Sequence, residues 1–486
     1  MTSSFETTLM VAIMSPTVNQ AQLLSAFIST LSTNTTQTLL PTLRYTALFL
    51  NCVANHATQF PTLSWAVRAV SLSHLGRLVC DQNLIQLSRQ MYRQALLTLN
   101  AALQDPIDGL SSSTLAATIL LSYYEVINCT ERDSWIRHAG GAGHLMRLRG
   151  PSRHLIGLGR AAFLAYRHSL VTEAFLSRRA TFLAVQPWQE LNRAVQKSLA
   201  PADRSPISDL VAEFHLLIVE IPGFVQSASD PNTSTTTKRG LLTAGLVHHG
   251  NLLSWREELT ATLEETNQQL TAHLTNPSDS TFPQSYELPS LSVGSLLCGY
   301  WAVLTILNRG LASLESEIAP NDTMGYQEEN TANARASCMA VAGLSSSAFM
   351  GPMYLIFALR VAWQTFDGLG MEEEREWVVE KLEGLSSYLG IARKLLDDGD
   401  DEQGIEMGES TSQSQSASQS GTGSPEVSRR PSLQQQVLSR EASREEAASG
   451  LGVSLQDIEI DRVSSGGSRR GNRTRKAEGK GKGVVR

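Results

Sequence analysis

An all-α fold, a multi-helix globular body with a disordered C-terminal tail, is what this 486-residue sequence predicts. Two observations carry the prediction. Apolar residues recur at helical spacing through most of residues 20–398, with no sustained two-residue alternation, so strands are few or absent. After Leu396 the composition changes: 397–409 is acidic, 410–420 is almost pure Ser, Gln, Thr and Ala, and 421–486 is rich in Ser, Gly, Arg and Glu without an aromatic residue. Such a segment cannot bury enough apolar surface to offset the entropy of ordering it. Three segments follow: an N-terminal stretch 1–39, a helical domain 40–397 and a tail 398–486. Within the tail, 433–460 is the one stretch with enough aliphatic residues for a transient helix.

A helical hairpin opens the body at 62–104. Leu63, Val67, Val70, His74 and Leu78 share one face, and Leu84, Met91, Ala95, Leu99 and Ala102 another, widened by Leu87, Leu96 and Leu103. Asp81 and Asn83 stand between the two runs, where a side-chain acceptor caps a helix. Asp105-Pro106 closes the second, because the residue before proline avoids the helical region. Further helices are predicted at 112–128, 133–149, 154–179, 205–222, 240–273, 289–316, 329–348, 351–366 and 371–397. Loops rich in Ser, Thr, Asn, Gly or Pro separate several of them, at 227–238, 276–289 and 319–324.

The formal net charge is −7, but it is unevenly spread. Residues 463–486 carry a net +7, which leaves −14 on the other 462 residues. An acidic body with a short basic arm argues against a nucleic-acid-binding body. Arg469, Arg470, Arg473, Arg475 and Lys476 within that arm suit a nuclear localisation signal or a flexible electrostatic contact, and equally a solvated tail. Interleaved glycines and missing aromatics exclude a base-reading element. Arg429-Arg430-Pro431-Ser432 has the pattern of a basophilic kinase site, a pattern common by chance.

Five cysteines, Cys52, Cys80, Cys129, Cys298 and Cys338, are scattered so widely that no two form a close pair. That spacing excludes CxxC zinc ligation and a disulfide framework and suits small buried side chains in a reducing compartment. The N-terminus, Met1 to Gln20, lacks the basic start of a signal peptide. The longest apolar stretch, 293–307, is shorter than the roughly 20 residues a membrane helix needs. A soluble, intracellular protein without a membrane partner is expected.

Catalytic patterns fail one by one. His138 and His144 are six positions apart, not the three or four that put two ligands on one helix face. His248 and His249 are adjacent and diverge. Gly343-Leu344-Ser345-Ser346-Ser347 lacks the second glycine of a nucleophile elbow. Gly140-Gly141-Ala142-Gly143 follows no strand and has no Lys-Ser/Thr pair, so it is not a phosphate loop. Glu264-Glu265 and Glu372 to Glu374 read as solvated faces. No enzyme activity and no cofactor are expected.

Residues 134–151 are the most informative segment. As a helix, Trp135, His138, Ala142, Leu145 and Arg149 align on one face. Gly140, Gly141 and Gly143 each cost a helix interior about 1 kcal/mol against Ala, so a thin face for close packing is expected. Gly150 is placed for a left-handed helix terminus, Pro151 for a stop, and Arg147 and Arg149 for the negative helix end. Trp135, His138, Gly141-Ala142, Leu145, Met146 and Arg149-Gly150-Pro151 resemble a box of the fungal-specific transcription factor domain, the regulatory region downstream of binuclear zinc-cluster DNA-binding domains. Met146 stands where that box usually has Leu. The likeness extends in order through 66–81 with Leu75-Gly76-Arg77, 92–99 with Asp105-Pro106, 114–125, and 167–182 with Glu173-Ala174 and Arg178-Arg179. It reaches Gly351-Pro352 with 355–360, and so spans about 40–397.

The resemblance implies a transcription regulator in the nucleus, with shuttling to the cytoplasm left open. It implies transcription machinery or other regulators as partners, and it admits a small-molecule effector and a homodimer. Five scattered cysteines cannot build the family's six-cysteine cluster, so DNA would be reached through a missing domain or a partner, and zinc is expected only with such a domain. Helix termination and packing account for Arg149-Gly150-Pro151; contact with an effector or partner is the alternative. The rival reading of the whole body is a helical-repeat interaction scaffold. Against it, no recurrence is found at the period of about 34 residues that such repeats need.

Overall fold

The computed structural model describes residues 18–32, 41–131, 133–199, 204–318, 325–347 and 349–392. The tail 398–486, with Arg469, Arg470, Arg473, Arg475, Lys476 and Ser432, lies outside the described residues.

The described body is helical almost throughout. Its first helix, α1 (Val18–Ser32), falls inside the stretch set apart as 1–39. It nevertheless packs on the body, with Phe27 edge-on to His74 and Ser64 Oγ donating to Gln20 Oε1 at 2.7 Å. After α2 (Pro41–His56), the expected hairpin is formed by α3 (Pro61–Leu78) and α4 (Gln82–Gln104). Asp81 caps α4, accepting from the backbone N–H of Asn83 at 2.8 Å. The α3–α4 crossing is tight: a Cβ on Gly76 would stand 2.9 Å from that of Leu84. Leu78 and Leu96, placed on the apolar stripes by spacing, are exposed. Cys80, just beyond α3, is also exposed, and Cys52 and Cys129 are half-buried; only Cys298 and Cys338 are the buried side chains expected of all five. Cys80 and Cys129 follow helix ends with positive φ, which places them at the surface of a turn.

The centre of the first half is α5 (Ser112–Asn128), capped by Ser111 and buried at every residue from Ser113 to Ile127. It carries α6 (Ser134–Arg149) and α7 (Gly157–Leu176). The predicted helix 154–179 is shorter, because 151–154 form a 3-10 turn and Arg178 takes φ 51°, letting Arg179 N–H reach the carbonyl of Ala174 at 3.0 Å. Helix α8 (Gln186–Lys197) is not among the predicted elements. The prediction 205–222 divides into α9 (Pro206–Ile218) and α10 (Ile221–Ala228), with Pro222 in the first turn of α10, where a missing N–H costs nothing.

Helix α11 (Thr235–Glu265) begins earlier and ends earlier than the predicted 240–273. Asn267 takes φ 51° and Gln268 N–H returns to the carbonyl of Leu263 at 2.8 Å, ending the helix. The chain then forms a short antiparallel hairpin, β1 (Thr271–Leu274) with β2 (Gln284–Glu287), in which Thr271 faces Glu287 and Leu274 faces Gln284. All of β1 is exposed, so its sequence carries no buried-face alternation to betray it.

Helix α12 (Leu291–Ile318) is the core of the second half. It is longer than the apolar stretch read from sequence, 28 residues with mean hydropathy 1.5 over its most apolar window, and 89% of that window is buried inside the protein. Its length is thus satisfied by protein contacts. Around it lie α13 (Tyr326–Met339), α14 (Val341–Ser345), α15 (Met350–Gly368) and α16 (Glu372–Ser386). The predicted 329–348 is divided at Ala340, and 371–397 is helical over Glu372–Ser386 and again at 390–392, with 393–397 outside the described residues.

The main hydrophobic core runs from Leu24 to Ala392, and a smaller cluster is formed by Leu23, Leu72, Leu75 and Leu84. The end of the body returns to its beginning: Tyr388 bonds His74, and Arg77 donates to the carbonyl of Ser387 at 3.1 Å. A stacked-repeat scaffold makes contacts only between successive units. Bonds between α3 and the chain just past α16 rule out that architecture.

Candidate functional site

The 134–151 box occupies α6 and its exit, wedged between α5 and α7. Its N-terminal end is fixed by a buried carboxylate. Glu125 accepts from Ser134 Oγ at 2.5 Å, from Thr130 Oγ1 at 2.7 Å and from Thr130 N–H at 2.8 Å. A carboxylate taken fully out of water is tolerated when donors surround it, and here the loop between α5 and α6 supplies them. Above it, His138 Nε2 bonds the hydroxyl of Tyr92 at 3.0 Å, and Tyr92 stacks on Tyr124 with centroids 4.1 Å apart. Burial pushes His138 down to about 4, so the imidazole is neutral at physiological pH.

The glycines divide into two kinds. A Cβ on Gly143 would stand 3.1 Å from Leu170 Cδ2, and one on Gly140 would stand 3.2 Å from the Arg179 guanidinium. These two provide the thin face against α7. Gly141 has room, its nearest neighbour Thr118 Cγ2 being 4.0 Å away. Buried Ala142, Leu145 and Met146 complete the packing surface.

At the other end, Arg149 turns back to the start of α5, donating to the carbonyl of Leu110 and, at 2.8 Å, to Ser112 Oγ. Burial, with Arg153 nearby, pushes its guanidinium down to about 10, so it stays charged at neutral pH. It clamps two helix ends; favouring its own helix dipole is the lesser part of its role. Gly150 has φ 72° and ψ 159°, not the left-handed helical values expected but a region open almost only to glycine. Pro151 then starts the 3-10 turn. Most of the box thus joins helices; Gly141 packs loosely, and Trp135 faces elsewhere.

Trp135 lines a cavity of about 60 Å³ between α5, α6, α7 and α15, together with Tyr123, His168, Tyr354, Phe357 and Arg360. Ile391, just past α16, closes one side. Burial holds two of the lining groups neutral: His168 is pushed down to about 4, also by Arg167, and Tyr354 up to about 12. The wall is aromatic and aliphatic, with Arg360 as its one cation among the described residues. Residue spacing carries no sign of this cavity, since its walls come from opposite ends of the helical body. The late segment 355–360, singled out with the box, is what supplies the far wall.

Elsewhere the titratable groups disperse. His144 Nδ1 meets Arg147 at 3.4 Å, while His248 and His249 face different carboxylates, Glu220 at 3.8 Å and Glu329 at 3.0 Å. Among the described residues, no group of three His, Cys, Asp or Glu side chains converges as metal ligands would.

Comparison with known proteins locates the resemblance. Over 176 residues the chain is 38% identical to an uncharacterized protein of Emericella nidulans, a match covering 36% of this chain and 38% of that relative. No solved structure matches. A family model matches residues 22–183, which take in α1 to α7 and the whole box, starting before residue 40 and stopping short of the second half. Residues 22–183 therefore match the fungal specific transcription factor domain, the family that the Trp135–Pro151 box resembles.

Proposed function

We propose that the chain is a regulator of transcription that works in the nucleus through its helical body and without catalysis. The observation that carries this reading is the family match over 22–183, with the box at its structural centre. No paired CxxC segment occurs among the 486 residues, so sequence-specific DNA contact comes from a partner or from chain beyond them. Partners are other regulators or the transcription machinery. The cavity beside Trp135 is where a small apolar effector would enter, because one wall belongs to the matched half and the other to α15. An occupant would bias how the two halves close on each other.

The test is to fuse the full chain to an unrelated DNA-binding module and follow a reporter carrying that module's site. A several-fold change in reporter output, up or down, relative to the module alone is expected. Output equal to that of the module alone, with the fusion present at the promoter, would overturn the reading.

A further inference from the structure

Arg167, in the middle of α7, is among the most deeply buried large side chains of the protein, 2% exposed. Its Nη1 donates to Asn192 Oδ1, and its guanidinium carbon lies 5.5 Å from the ring centroid of Tyr45. Its Nε and Nη2 are buried and have no hydrogen-bond partner among the described residues. No carboxylate pairs with it among the described residues. The neighbouring rings supply no negative charge: His168 and His215 are kept neutral by burial and by Arg167 itself.

Arg309, another largely buried guanidinium, is better supplied with acceptors: it donates to Gln364 Oε1, to the carbonyl of Val361 and to Thr365 Oγ1. An uncompensated buried charge is among the costliest features a fold can hold, and an orphaned buried donor adds to the cost. Burial lowers Arg167 only to about 10, so the charge persists at neutral pH. Beside it, between α7, α8 and α9, is a cavity of about 10 Å³ lined also by Trp188, Gln189, Asn192 and His215. That is room for about one water-sized occupant. A water could accept from both donors but would leave the charge uncompensated. A monoatomic anion would meet both needs.

We infer that the cavity beside Arg167 is a binding site for a small inorganic monoanion, a halide by size, held by the guanidinium Nε and Nη2. The site is independent of the cavity beside Trp135 and of the role in transcription.

The test is thermal unfolding of the full chain in sodium chloride, sodium bromide and sodium gluconate at equal ionic strength. Chloride and bromide should raise the midpoint saturably, by about 2 °C once their concentration is several times the dissociation constant, whereas gluconate is too large to enter. Arg167→Met should abolish the difference between the salts. Chloride-35 linewidths on the unmodified protein keep the test decisive should that variant fail to fold: excess broadening that bromide displaces is expected. Equal midpoints in all three salts with no excess broadening would mean that water fills the cavity. A halide shift retained in Arg167→Met would place binding elsewhere. Either result overturns the inference.

Discussion

The exit of α6 and the middle of α7 hold buried guanidiniums in opposite circumstances. Arg149 donates to the carbonyl of Leu110, in the turn before α5, and to Ser112 Oγ at its start, so that only Nε is left without a partner among the described residues. Arg167 has one side-chain acceptor, an aromatic face and a small cavity. The contrast separates two uses of a buried cation. One is a joint that locks helix ends within the family-matched segment; the other is a site completed from outside the chain. The Glu125 network belongs with the first kind, since Thr130 and Ser134 close it from within.

If that division is right, removing the acceptor at the joint should have the largest effect. Glu125→Ala takes the acceptor from the buried Ser134 hydroxyl and from the two donors of Thr130 at the exposed rim, and a loss of about 3 kcal/mol is expected in denaturant unfolding. A loss below about 1 kcal/mol would show the network to be solvated and the joint unimportant. The two arginines then provide the sharper comparison. Arg149→Met should cost about 1.5–3 kcal/mol, the worth of hydrogen bonds to a charged group. Arg167→Met, measured in gluconate, should fall within about 1 kcal/mol of the parent protein, because an apolar side chain replaces an uncompensated charge. Equal losses at the two positions would erase the distinction.

Acid should act next. His74, His138, His154 and His168 are each pushed by burial from 6.5 to about 4. Between these values the unfolded chain binds more protons than the folded one, so stability is full above pH about 6.5 and is lost as pH falls toward 4. A melting midpoint that declines across that window is expected, and a flat profile would contradict the burial of these rings. The smallest effect is a gain: Gly141→Ala finds open space and should add up to about 1 kcal/mol, whereas Gly143→Ala, pressed on Leu170, should add nothing.

Much of this is legible in the sequence where local chemistry announces itself. Asp81 marks a helix start, Gly150-Pro151 marks a stop, and the prediction 112–128 coincides with α5. Where the signal is tertiary, the linear pattern is silent. Glu125 reads as an ordinary helical glutamate until Ser134 and Thr130 fold over it. Helix α8 is short and flanked by turns, and its buried Trp188, Leu191 and Val195 are too few to stand out in a long apolar chain. The box itself is visible, but its division into packed Gly140 and Gly143, loose Gly141 and cavity-facing Trp135 depends on what α5, α7 and α15 bring to it. Both cavities escape any linear reading, because their walls meet only after folding.

The central functional claim is that this body acts on transcription, and it is tested most directly on chromatin. The tagged full-length chain, crosslinked in the organism that carries its gene, should enrich a defined set of promoters. Transcripts from those promoters should change when the gene is deleted. Background-level recovery at every promoter, with an unchanged transcript profile after deletion, would contradict it.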